Sequence, residues 1–104
     1  MRRYPSLAQV FERAETETEF GGRTVDWTPL GALWIALSSP QRSGDGTGEQ
    51  EPVVTERTIA ESRSDPRVRA GQRVDVRGVE WRLVHVDQDH PKMGRMTLTL
   101  TRDI

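Results

Sequence analysis

The chain contains no cysteine. That excludes a disulfide framework and any zinc–thiolate centre. It has a single lysine, Lys92, against fourteen arginines. Aromatic residues are scarce, at 6%. No run approaches the ~20 apolar residues of a membrane span. The opening "MRRYPSL" runs into charge and not into an apolar segment, so no signal peptide is expected. No P-loop, GxGxxG, HExxH or GxSxG motif occurs. These absences predict a soluble cytosolic chain with no catalytic residue, no metal, no cofactor and no membrane partner.

What is there suits one modest core. The 104 residues are 34% hydrophobic and 30% charged, which is compatible with a single domain over 1–104. The net charge of −1 hides a split: −3 over residues 1–52 and +2 over residues 53–104. Arginine suits planar pairing with carboxylates or phosphates, although a base-composition bias explains its dominance equally well. A near-neutral total argues against a dedicated nucleic-acid binder.

Period-two patterns dominate. "RMTLTLTR" alternates Met96, Leu98 and Leu100 with threonines, as a half-buried strand does. "VEWRLVHV" (Val79–Val86) and "QRVDVRG" (Gln72–Gly78) are two more strands, with Gly78 placed for a tight hairpin. "VVTERTIAESR" (Val53–Arg63) has strand character, but its inward face is not obvious. "LGALWIALSS" (Leu30–Ser39) reads as a strand limited by Pro29 and Pro40, and Gly21-Gly22 marks a turn before "RTVDW". The N-terminal run is ambiguous. Leu7, Val10, Phe11 and Ala14 fit helical spacing, while "ETETE" alternates, and the balance favours a strand. The sum is an all-β fold, a small β-barrel of five to seven short antiparallel strands.

One stretch breaks the pattern. "PQRSGDGTGEQEP" (Pro40–Pro52) holds three glycines, two prolines, three acids and one arginine, and buries nothing. It predicts a long projecting loop, and such loops are usually functional or disordered. Its candidate contact residues are Arg42, Ser43, Gly44, Asp45, Gly46, Thr47, Gly48, Glu49 and Glu51. Out and back, it can reach ~20 Å at ~3.4 Å per residue. It is expected to be mobile until a partner orders it.

Three other clusters carry two readings each. His85, Asp87, Asp89 and His90 could offer metal ligands, but a polar turn into Pro91 explains them without one. Glu15, Glu17 and Glu19 form a row of like charge, either a solvated face or one that meets an arginine-rich neighbour. Arg67, Arg69, Arg73 and Arg77 either protect strand edges or bridge subunits. Trp27, Trp34 and Trp81 are expected as core or barrel-end packing residues, with a stacking platform for single-stranded nucleic acid as the lesser reading.

The order of these signals resembles the phage head–tail joining family, also called head-closure or stopper proteins. The family pattern has a Gly-Gly turn before a Trp, then a strand matched here by "LWIAL" (Leu33–Leu37). A strand matched by "RTIAESRSD" follows, then a hairpin matched most closely by "RAGQRVDVRGVEWRLVHV". The resemblance spans Leu7 to about Leu100 and has no catalytic signature. Ala60 and Glu61 depart from the family's basic-aromatic character, which also fits a gene transfer agent version. The resemblance implies a structural protein that forms a homo-oligomeric ring in the connector of a virion or phage-like particle. Its expected neighbours are a portal or adaptor on the head side and a tail terminator or tail tube on the other. DNA would pass through with only transient, non-specific contact. The competing reading is an OB-like nucleic-acid-binding barrel. Within a ring, the acidic and basic halves could supply complementary faces, with Glu15, Glu17 and Glu19 against Arg67, Arg69, Arg73 and Arg77.

Overall fold

Met96, Leu98 and Leu100 are fully buried, and the strand that carries them, Arg95–Asp103, lies between two others in the sheet. In the computed structural model, which describes residues 5–45 and 53–104, the strands are seven. They are β1 (Pro5–Glu17), β2 (Arg23–Leu37), β3 (Gln41–Asp45), β4 (Val53–Arg63), β5 (Arg73–Val76), β6 (Val79–Asp87) and β7 (Arg95–Asp103). All pairings are antiparallel, in the order β2-β1-β5-β6-β7-β4-β3. A further β2–β4 pairing, Ile35↔Ser62 to Leu37↔Ala60, closes six of the strands into a barrel. The all-β barrel expected from the alternation is therefore present.

Local chemistry accounts for the turns. Arg77 and Gly78 both have positive φ (52° and 75°), as a two-residue type I′ hairpin between β5 and β6 requires. At the β1–β2 turn, Gly21 takes φ 76°, and the Gly21 and Thr18 amides donate to the Thr18 and Gly22 carbonyls. The N-terminal ambiguity resolves to strand: Ala8 and Val10 point into the core, while Leu7 and Gln9 face out.

The core draws on Ala8, Val10, Ile35, Ala60, Val74, Val76, Trp81, Leu83 and the inward residues of β7. Complete burial of one such aliphatic side chain stabilises by roughly 1.5–3 kcal/mol. On β4 the inward row is Glu56, Thr58, Ala60 and Ser62, all buried, whereas Ile59 faces the other way. A small barrel fits large side chains from some strands against small ones from others. That is why the inward face of β4 had no apolar signature.

Three strand expectations change. β1 and β2 are not short, at 13 and 15 residues. β2 continues through Pro29 because a bulge falls there: Val10 pairs with Gly31, Phe11 pairs with Pro29, and Leu30 is the extra residue. Gly31 sits at φ 154°, a conformation an L side chain rarely adopts. Finally, the expected loop begins as a strand. Gln41 to Asp45 form β3, paired to Arg57 to Val53 of β4. Polar side chains suffice because the backbone ladder, not apolar burial, holds this edge. Arg42, Ser43, Gly44 and Asp45 are thus strand residues, while Gly46, Thr47, Gly48, Glu49 and Glu51 lie outside the described residues.

The molecule is not a sphere. Its radius of gyration is 15.8 Å and its extents are 49 × 39 × 25 Å, against ~13 Å for a compact chain of this length. The excess lies in the β1–β2 hairpin. β5 pairs β1 only from Ala8 to Phe11, so Glu12–Glu17 and Arg23–Thr28 form a two-stranded arm beyond the barrel.

Candidate assembly surface

The arm's two faces differ because of the bulge. Residues opposite one another in an antiparallel ladder project to the same side. The outer face therefore runs from the Leu7–Trp34 pair, through Phe11–Pro29, to Arg13–Trp27 and Glu15–Val25. In a ladder without the bulge at Leu30, Trp27 would pair with Ala14 and lie on the same side as Ile35. One inserted residue reverses that parity. The outer stripe is exposed: Trp34 is 64% accessible, and Leu7 and Val25 are also open to solvent. The opposite face of the arm is polar and small, with Glu12, Ala14, Thr16, Thr24, Asp26 and Thr28.

This corrects the tryptophan expectation in part. Trp81 is buried in the core, as expected. Trp34 is not a packing residue, because its side chain stands on the outward side of β2. Trp27 is half-buried on the arm. The strongest feature of the arm is Phe20 at the turn, 97% exposed. A lone phenylalanine between two charged stretches gave no sequence signal of its own. Only the length of the hairpin makes it a tip.

The acidic row is partly a strand feature. Glu15 bonds Arg13 at 2.9 Å and Arg23 at 3.5 Å within the arm. Glu17 stands opposite Arg23. Glu19 leaves the row, because β1 ends at Glu17 and Glu19 belongs to the turn. All three are exposed near the tip.

The arginines cluster at the other end of the arm and are engaged within the chain. Arg67 forks onto Asp65, with Nη2–Oδ2 2.9 Å. This bond, with the Arg67 backbone amide, holds the Asp65 carboxyl below its ordinary range and raises the guanidinium pKa further. Arg69 pairs with Glu12 at the arm root. Arg73 bonds Asp75 at 2.7 Å and Glu80 at 3.3 Å, which raises its pKa, and it stacks 4.9 Å from the Phe11 ring centroid. Arg77 donates to Ser6 Oγ at 2.8 Å. Beside the arm root, Pro66, Val68, Ala70 and Val86 line a cleft of about 620 Å³, with Arg69 and His85 at its edge.

A second anchor fixes β3. Glu56 is buried and receives Arg42 Nε at 3.2 Å and Arg102 Nη2 at 3.4 Å. Arg102 also lies 5.3 Å from the Trp81 ring centroid. Arg42 is therefore held to its own barrel.

The histidine and aspartate cluster is the end of β6, with His85 and Asp87, and the connection that follows, with Asp89 and His90. Asp87 Oδ1 accepts the Asp89 amide, and His90 Nδ1 accepts the Lys92 amide. His90 Nε2 stands 3.7 Å from Glu61, whose carboxyl is held below its ordinary range chiefly by its bond from Arg95. Among the described residues no group of three or more His, Asp or Glu could hold a metal.

No protein-family model matches the chain, and no curated protein matches it. Solved structures do. A chain from the virion of a native gene transfer agent particle is 18% identical with a TM-score of 0.78. The match covers 100% of this chain and 98% of that one. The phage-like element PBSX protein xkdH from Bacillus subtilis is 9% identical with a TM-score of 0.63, over 98% of this chain and 96% of that one. The likeness is one of fold, and it runs end to end.

Proposed function

We propose that this protein is a structural component of a phage or phage-derived particle, namely a head-closure ring between the portal or adaptor and the tail. The observation that carries the reading is the full-length fold match to a chain of a gene transfer agent virion. Fold alone does not assign function, and the exposed surface adds support to the reading. The barrel is small, its arm presents Phe20 and Val25 to solvent, and the barrel end of the same hairpin presents Leu7 and Trp34. An exposed apolar stripe rimmed by charge is what an assembly interface looks like before its partner arrives.

The role is structural and not enzymatic. Many of the charged groups tie strands together: Arg42 and Arg102 on Glu56, Arg95 on Glu61, and Arg73 on Glu80. A protein of this kind resides in the particle after assembly in the cytoplasm. Its contact with passing DNA is weak and indifferent to sequence.

The test is a particle-producing strain that lacks this protein. Heads that fail to retain DNA, with tails left unjoined, are the expected result. Normally filled and tailed particles would overturn the reading. The OB-like alternative separates by salt: a binder shows measurable DNA affinity that falls steeply as salt rises, whereas the free connector subunit shows little binding at any salt.

A further inference from the structure

Rings are built by heterologous contacts, in which one patch of a subunit meets a different patch of the next. The arm places two such patches at its opposite ends. At the tip stands Phe20, exposed and free of any packing role. At the root lies the cleft floored by Pro66, Val68, Ala70 and Val86, about 620 Å³ in volume and ample for one phenyl ring. Arg69 fixes the cleft to the arm root, since it borders the cleft and pairs with Glu12 where the arm begins.

Charge follows the same polarity. Residues 15–23, around the tip, hold three glutamates and one arginine. Residues 63–73, around the cleft, hold four arginines and one aspartate. Arg67, Arg69 and Arg73 are paired within the chain, as is Glu15, so the complementarity is a modest one that favours this register over a like-charged one. A buried aromatic anchor inside a polar rim is the usual energetic centre of an interface.

The length of the arm also favours a neighbour over the same copy. Glu12–Glu17 spans ~20 Å at ~3.4 Å per residue, so the tip stands well clear of the cleft at its own root.

We propose that the Phe20 tip of one copy docks in the Pro66–Val68–Ala70–Val86 cleft at the arm root of the next copy, so that the arm is the link between neighbouring subunits. This rests on the ring reading above and specifies its interface.

The chain's lack of cysteine makes the test clean. The double variant Phe20→Cys/Ala70→Cys, in the full chain under mild oxidation, is expected to give a disulfide ladder on a non-reducing gel. Either single variant should stop at a dimer. A double variant that also stops at a dimer overturns the head-to-tail link. Phe20→Ser should raise the protein concentration needed for assembly by at least tenfold while leaving the thermal midpoint of the monomer unchanged. Replacing Glu15, Glu17 and Glu19 by lysine should act in the same direction. If Phe20→Ser protein still forms rings in micrographs, the docking is wrong and the connector reading stands. If wild-type particles contain no copy of the protein, the connector reading itself falls.

Discussion

Glu56→Ala is expected to lower stability by about 2–3 kcal/mol, well beyond what either of its partners loses alone. The figure follows from exposure. The Glu56 side chain is 7% accessible, that of Arg42 68% and that of Arg102 33%. A pair whose arginine lies mostly in water is worth about 0.2–1 kcal/mol. A charge-assisted bond in a largely dry setting is worth about 1.5–3 kcal/mol, and Arg102 approaches that case because Trp81 covers its guanidinium. Alanine at position 56 removes both bonds and leaves Arg102 half-dry, with its Nε already lacking a partner. Arg42→Ala should cost less than about 1 kcal/mol, and Glu56→Gln, which keeps the shape and two acceptor lone pairs, should fall between. Urea unfolding followed by circular dichroism at neutral pH separates these. With a slope of about 1–1.5 kcal/mol/M, a 2 kcal/mol loss moves the midpoint by roughly 1.3–2 M. If Glu56→Ala loses no more than Arg42→Ala, the carboxylate is effectively solvated and the anchoring argument is refuted. The outcome bears on assembly, because Arg42–Glu56 is the side-chain tie between β3 and the barrel.

Two further outcomes are expected. Gly31→Ala should lose about 1–3 kcal/mol, because φ 154° is closed to an L side chain; an unchanged thermal midpoint would mean the bulge can relocate. Acid should weaken the fold in a defined window. The folded pKa values of Glu61 and Asp65 lie below their ordinary 4.5 and 3.8. Their contribution is therefore complete above those values and is lost as pH falls through the lower, folded ones. Thermal midpoints should be level near neutrality and decline below about pH 4.5, and Asp65→Asn should flatten that decline. An equally steep decline in the variant would place the acid sensitivity elsewhere.

Much of the barrel was legible locally. Alternation of Met96, Leu98 and Leu100 with threonine marked β7, and its inward row is fully buried. Gly78 and Gly21-Gly22 marked turns, because positive φ, which Gly78 and Gly21 adopt, favours glycine; Arg77, also at positive φ, carried no such signal. β4 was not legible in the same way. Its buried row of Glu56, Thr58, Ala60 and Ser62 has no apolar contrast with Thr55, Arg57 and Ile59. β3 was missed because its strand identity comes from the β4 backbone beside it and not from its own side chains. At the assembly surface, the charged residues were visible as rows, but Phe20 was not singled out and Trp34 was expected inside.

Composition and period two determined, with no structure at all, that this chain is all-β, has no thiol chemistry and lacks the common nucleotide, metalloprotease and hydrolase motifs. They did so because side-chain alternation and turn preference are properties of a few neighbouring residues. The tertiary structure alone decided which face is which. Barrel closure depends on Ile35–Leu37 meeting Ala60–Ser62, more than twenty residues away in sequence. The bulge at Leu30 then turns Trp27 from the side of Ile35 to the outer side. Period-two alternation fixes that two faces exist. Only pairing and register, summed across strands distant in sequence, choose the one that meets water and the next subunit.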